Sequence, residues 1–320
     1  MVAAAQSLLW SGLAINTRNT YDTATRSYLK FAQLYPTALP NPFPATDTAV
    51  CMWLTHLHRS NLKFTTIRVY LCGLKSHHSD LDLECTFHRS QLVQRLFRGI
   101  KRVQGVGATV KPRFPMTFAV LRELDVILLS PSYSSNSFAR LIRAVMWVAA
   151  AGLFRIGELV VESKSAEPNA IDRLLCVRDL KVVQFQPLVM SIHLRASKTD
   201  VFRHEVDVNI YNRTALSALS TYLTTRPHPR TPGSPLFCLA DGSPLTRKLL
   251  LSTATAMLQR AGIDTSSHSG LSFRRGGATS YAAAGLQDST LKTLGRWLGW
   301  SYTRYIETSI QSMLDATQHL

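Results

Sequence analysis

The chain has no CxxC pair, no apolar stretch long enough to span a bilayer, no internal repeat, no low-complexity tract and few acidic side chains. Its five cysteines (Cys51, Cys72, Cys85, Cys176 and Cys238) are an odd number without metal-ligand spacing. That excludes zinc-ribbon and disulfide-framework classes and favours a reducing compartment. His56 and His58, and the doublet His77-His78, have no second ligand pair at metal spacing, so they read as solvated or capping side chains and no metal is expected. The opening Met1–Ile15 is apolar but falls short of the ~20 residues a span needs. It also lacks the basic flank of a secretory signal, so it reads as a short helix packing on the first domain. Neither a membrane nor a secretion signal is expected.

Acid is scarce: 20 Asp and Glu stand against 36 Lys and Arg, for a net charge of +16 and a pI near 10.0. Such an excess calls for an anionic partner, and a phosphate backbone suits it better than a membrane surface, because no polybasic cluster adjoins an apolar helix. The charge is spread along the chain. Residues 1–116 hold 14 Lys and Arg against 5 acidic residues, leaving 22 against 15 for the remainder. Two basic domains can grip opposite sides of a duplex. A length of 320 residues suits two domains, and 46% hydrophobic with 18% charged residues describes an ordinary globular chain.

Apolar periodicity predicts a helical first domain over 1–108. Helices are expected at Asn16–Tyr35, from the Thr46-Asp47 cap through Leu57, from Thr65-Thr66 through Leu74, and over Ser90–Val103. The last of these should turn Leu92, Leu96 and Ile100 inward and Arg95, Arg98, Lys101 and Arg102 outward, as a DNA-facing surface. Residues 109–116, with Lys111 and Arg113 among prolines, read as a linker whose two cations can also touch DNA. The second domain, 117–320, should hold helices near 118–129, 135–152, 214–224 and 248–261, with a hairpin from Leu188–Arg195 and His204–Ile210. The fold class is therefore mostly α with a small antiparallel β-sheet. Ile310–Leu320 is amphipathic and suits either its own domain or a neighbouring protomer.

Several residues could carry chemistry. Arg155 ends the apolar run from Trp147, where a guanidinium needs either a salt bridge to Glu158 or a ligand. Gly152 and Gly157, on either side of it, would allow close backbone approach. Lys198 lies at the expected hairpin tip, a place where lysines are otherwise solvated. Arg274 and Arg275 open an alanine-rich helix that Gly285 ends, and forked donors at a helix start suit phosphate. Trp297 could donate its indole N–H or simply pack. Tyr305 would attack only beside cations, because an unperturbed phenol ionises near ~10.

In order and context these stretches resemble the tyrosine recombinase (phage integrase-like) family. They are Gly152-Leu153-Phe154-Arg155-Ile156-Gly157-Glu158-Leu159, Ser197-Lys198-Thr199-Asp200, Gly270-Leu271-Ser272-Phe273-Arg274-Arg275-Gly276-Gly277, Leu294-Gly295-Arg296-Trp297 and Arg304-Tyr305-Ile306. The Leu-Gly-Arg-Trp context is similar to the eukaryotic mobile-element branch (Crypton, DIRS and Ngaro-like elements). The resemblance implies a helical core-binding domain plus a catalytic domain, closing as a C-clamp on double-stranded DNA. It implies strand cleavage and rejoining through a 3′-phosphotyrosyl link with no cofactor. The site residues implied are Arg155, Lys198, Arg274, Trp297 and Tyr305, with Lys198 protonating the departing 5′-oxygen. Glu158, Arg275 and Arg296 would support them. A homodimer or homotetramer on DNA, a role in integration or transposition, and a nuclear location follow from the same resemblance.

Two departures stand out. The family's histidine three residues before the second arginine is Leu271 here, and His268 lies three residues further back, out of register. Loss of one acid–base group costs ~10²–10⁴-fold in rate. The ninth residue before Tyr305, commonly His or Trp, is Arg296, with Trp297 eight before, so Tyr302 is a second candidate nucleophile. Two other readings stay open: a DNA-binding protein descended from such an enzyme, and a type IB topoisomerase-like activity.

Overall fold

Side-chain caps and apolar stripes fix where the helices begin and which faces they bury. The computed structural model describes residues 8, 9, 11–105, 113–134, 136–162, 174–195 and 205–306. Lys111, Lys198 and Ile310–Leu320 lie outside them. The chain divides into two compact units, Met1–Val110 and Lys111–Leu320.

The first unit holds helices α1 (Ile15–Gln33), α2 (Asp47–Arg59), α3 (Phe64–Asp80) and α4 (Gln91–Gly105). Thr46 caps α2 by accepting from the Ala49 amide at 3.2 Å, the bond a threonine at that position offers. Lys63, by contrast, precedes α3 without a side-chain cap. The core gathers Tyr28, Phe31, Trp53, Leu54, Ile67 and Leu74. On α4 the inward residues are Val93 and Ile100, while Leu92 is 57% exposed. Correcting the expected stripe by one residue satisfies the i, i+7 spacing of one helix face. Arg95, Arg98, Lys101 and Arg102 are all exposed. Leu8 and Leu9 are exposed as well, so these described residues of the opening segment do not pack. His78 is neither solvated nor capping. It is fully buried, its Nε2 accepts from the Ala45 amide, and its Nδ1 bonds the Leu74 carbonyl.

The second unit is built around an all-round apolar helix. After α5 (Phe118–Leu128), every residue of α6 (Ser137–Ala151) from Ala144 onward is buried, the signature of a helix at the centre of a core. Its Arg143 pairs with Asp125 at 2.9 Å, and that carboxylate also accepts from Trp147 Nε1. The short helix α7 (Ile156–Leu159) follows, then strands β1 (Leu180–Phe185), β2 (Leu188–Leu194) and β3 (Val206–Ile210) in an antiparallel sheet of order β1-β2-β3. The hairpin register pairs Met190 with Ile210 and Leu194 with Val206, placing Ile192, Leu194, Val208 and Ile210 in the core. Strand β1 went unrecognised in the sequence because Val182-Val183 breaks period-two alternation, and a register shift falls at that place. Helices α8 (Arg213–Thr225), α9 (Arg247–Arg260), α10 (Gly270–Ala283) and α11 (Asp288–Gly295) complete the unit, with a 3₁₀ segment Trp300–Tyr305.

Arg113–Met116, placed in the expected linker, bonds to the start of α10. The Phe114 amide donates to the Ser267 carbonyl, the Met116 amide to that of Ser272, and Arg113 Nη1 to Ser269 Oγ at 3.2 Å. Gly276 and Gly277 explain why α10 lies so close to its neighbours. A Cβ there would sit 1.8 Å from the Met116 carbonyl oxygen and 2.0 Å from that of Ala150, so backbones meet where any side chain would clash.

Candidate active site

Arg155 does not end the long helix. Helix α6 closes at Ala151, and Gly152 lets the Phe154 ring fold back over it, since a Cβ there would lie 2.2 Å from that ring. Leu153 then takes a left-handed conformation (φ 50), unusual for a branched side chain. Arg155 is extended and caps α7, with Glu158 Oε2 accepting its amide and Oε1 accepting from its Nη1, both at 2.9 Å. The expected salt bridge is therefore present. Around Gly157 there is nothing within 4 Å, so close approach applies to Gly152 alone.

Arg274, the fifth residue of α10, is completely buried. It is not a solvated side chain at a helix start: Nη1 donates to the Leu153 carbonyl and Nη2 to the Gly295 carbonyl. The same Leu153 oxygen accepts from Arg296 Nη2 at 3.2 Å, and that nitrogen also reaches Glu158 Oε2 at 3.0 Å. One strained turn and one carboxylate therefore bind three guanidiniums. Burial, followed by the Arg155 and Arg296 charges, pushes the Arg274 pKa down to about 10, while Glu158 and Tyr305 act the other way. Burial likewise lowers that of Arg296. A cation depressed in this way is held where an added negative charge would be welcome.

Trp297 and Tyr305 close the cluster. Gly295 makes room for the indole, whose ring would lie 1.8 Å from a Cβ there. The Arg274 guanidinium carbon is 4.5 Å from the Trp297 ring centre and 5.7 Å from that of Tyr305, within cation–π reach. The two rings are 5.2 Å apart, and the Tyr305 carbonyl accepts from Thr279 Oγ1 on α10. Tyr302 is placed differently. It is buried, its hydroxyl donates to Asp288 Oδ2 at 2.6 Å, and that bond raises its pKa.

Of the residues singled out in the sequence, Arg155, Glu158, Arg274, Arg296, Trp297 and Tyr305 come together. Leu271 is 38% exposed on the first turn of α10. His268 bonds the Asp264 carbonyl through Nδ1 and rests against Phe114, with ring centres 6.0 Å apart. Arg275 is half-buried on the same helix. Lys198 belongs to residues 196–204, outside the described set. The strands on either side are held by Arg195 Nη2 on Asp179 and by His193 between Asp207 and Glu205. Three participants left no signal in the sequence: the carbonyls of Leu153 and Gly295, and Asp288 beneath Tyr302. Among the described residues no group of three His, Cys, Asp or Glu could hold a metal ion, and no helix is long and apolar enough to cross a membrane.

No protein-family model and no curated protein matches the chain. Solved structures do match. One is the XerH site-specific recombinase bound to palindromic difH substrate in a post-cleavage complex (TM-score 0.63, 13% identity, 94% of this chain and 78% of that one). A second is the Tn1549 transposon integrase with transposon right end DNA (TM-score 0.58, 12% identity, 96% and 94%). A third is a lambda integrase dimer bound to a COC' core site (TM-score 0.56, 12% identity, 95% and 75%). At such identities the likeness is one of fold. This chain has the mostly helical fold, with a small antiparallel sheet, found in those recombinases and integrases.

Proposed function

We propose that this chain cleaves and rejoins DNA strands through a covalent link at Tyr305. The observation that carries the reading is the meeting of Arg155, Arg274, Arg296, Trp297 and Tyr305 in one partly buried cluster with the Glu158 carboxylate. Guanidiniums already fixed by carbonyls and Glu158 cost little reorganisation when charge develops on a phosphate, which is the largest contribution a protein makes to such chemistry. Tyr305 gives its phenolic proton to solvent and its oxygen attacks phosphorus, the bond to the 5′-oxygen breaks, and Lys198 passes a proton to that oxygen and regains one from solvent. The phosphotyrosyl bond conserves the energy of the broken phosphodiester, so an incoming 5′-hydroxyl reverses the step without ATP. Arg95, Arg98, Lys101 and Arg102 on α4 would hold the duplex as the other half of a C-clamp, with Lys111 and Arg113 as further phosphate contacts.

The fold shared with the recombinases and integrases supports strand exchange as the outcome. Paired sites then call for a homodimer or homotetramer, and the Leu294–Trp297 context favours transposition or integration of a eukaryotic mobile element in the nucleus. Tyr305 is the nucleophile in preference to Tyr302, whose hydroxyl is committed to Asp288. Leu271 favours the second reading, a DNA-binding descendant of reduced activity, because an exposed aliphatic side chain there neither donates nor accepts. A nicked suicide duplex decides between the two. Full-length protein should give a covalent adduct that Tyr305→Phe abolishes and Tyr302→Phe does not. No adduct, or one that survives Tyr305→Phe, would leave a basic DNA binder.

A further inference from the structure

We infer that copies of this chain bind one another head to tail, the acidic turn Asp80–Glu84 of one copy seating Leu81 in a basic, aromatic groove on the first unit of the next. The strand-cleavage reading calls for several copies on DNA but names no surface between them, and the contact does not depend on that chemistry.

The groove lies along the second half of α1, where Arg26, Lys30 and, just past the helix end, Leu34 meet His56 of α2 and Tyr70 of α3. Its volume of about 460 Å³ is within the range of binding clefts. The buried Phe31 also lines it, with its ring 5.3 Å from that of His56, and Leu34 is 62% exposed. Among the described residues no carboxylate lines the groove, while Arg26 and Lys30 are both exposed. Duplex DNA would meet the two cations but leave the apolar floor wet. An acidic segment carrying a bulky aliphatic side chain answers both.

The chain supplies such a segment. Three of the five acidic residues in 1–116 are Asp80, Asp82 and Glu84. All three are exposed around Leu81, which is itself 54% exposed at the end of α3. The Leu81 amide donates to the His77 carbonyl and the Leu83 amide to that of His78, whose side chain is buried. A turn fixed in this way loses little freedom on docking. Among the described residues none of the three carboxylates, nor Arg26 or Lys30, is in an ion pair.

Groove and turn lie at opposite ends of the α1–α3 pair. A Cβ on Gly73 would sit 2.7 Å from that of Ala24, and Tyr70 borders the groove with Ser27 and Phe31, so the two helices run antiparallel. The turn is therefore beside the start of α1, ~16 Å along α3 from Tyr70 at the usual rise of an α-helix. A knob at one end and its socket at the other make a heterologous contact, which joins copies into a ring or a row. At a net charge of +16 whole copies repel, so attraction has to come from a local match of opposite sign. Helix α1 packs chiefly on α3 and α4 chiefly on α2, which leaves the α4 cations to DNA.

Sedimentation velocity on full-length protein without DNA tests the contact. Wild type should self-associate as its concentration rises, and less so at high salt, which screens exposed charges. Arg26→Glu with Lys30→Glu, and separately Asp80→Lys with Asp82→Lys, should each weaken association by about tenfold or more. Leu81→Ser should weaken it too. An equimolar mixture of the two charge variants should recover it, because the intact turn of the first meets the intact groove of the second. The changed side chains are exposed, so thermal midpoints should match wild type. A wild type that stays monomeric at low salt, variants that associate as wild type does, or a mixture that stays apart would each overturn the inference. A monomeric wild type whose duplex affinity falls with Arg26→Glu and Lys30→Glu would overturn it by giving the groove to DNA. Head-to-tail association without any adduct on the suicide duplex would uphold the contact and sink the cleavage reading alone.

Discussion

Glu158→Gln isolates what one carboxylate does for the guanidinium cluster. Its side chain is 5% exposed and pairs with Arg155 and Arg296, which are 27% and 16% exposed. Removing one partner of a buried pair typically costs about 3–5 kcal/mol, because the other charge is left uncompensated. Two features reduce that here. Glutamine keeps one carbonyl oxygen for the Arg155 amide or for a guanidinium, and Arg155 is open enough to recruit water. About 2–3 kcal/mol is the reasoned outcome, which for a unit of this size lowers the thermal midpoint by roughly 4–12 °C. Circular dichroism melts measure it directly. The variant should recover more of its midpoint than wild type does when duplex DNA or sulfate is added, since the anion takes over the missing charge. At low salt its DNA affinity should not fall, because the cluster has become more positive. A midpoint loss under about 1 °C would show that the pair is screened as at an open surface, and the case for a desolvated anion site would go with it.

Other outcomes can be checked alongside. Tyr302→Phe should leave adduct formation intact while lowering the midpoint, because it removes only the bond to Asp288. Gly277→Ala should destabilise by about 1–3 kcal/mol or more, since its Cβ would fall 2.0 Å from the Ala150 carbonyl oxygen. Gly99→Ala, inside α4 with nothing within 4 Å, should instead stabilise by about 0.5–1 kcal/mol in denaturant titrations. Burial raises the Tyr28 phenol from 10.0 to about 12. The unfolded chain therefore releases that proton first, and stability present below pH 10.0 should be lost as pH rises towards 12. Tyr28→Phe should flatten that alkaline limb in pH-dependent melts.

The sequence alone settled what depends on local pattern. Helix faces repeat at 3.6 residues, so the first-domain helices were readable, with Ile100 inward and the α4 cations at the surface, although Leu92 and Val93 exchanged places by one residue. The Thr46 cap and the β2–β3 pairing came from residue types adjacent in the chain. The order of the motifs carrying Arg155, Arg274, Arg296, Trp297 and Tyr305 was likewise legible as a resemblance. Tertiary structure alone decided how those residues interact. It showed Arg274, read from the sequence as a forked phosphate donor at a helix start, to be fully buried and bound to two distant carbonyls. It also separated Tyr302 from Tyr305, through Asp288. A carbonyl has the same chemistry at every residue, so nothing in the letters marks Leu153 and Gly295 as the acceptors. Only the folding of a strained turn against α10 and α11 brings those oxygens to the guanidiniums, and with them the gathering of guanidiniums on which the proposed chemistry rests.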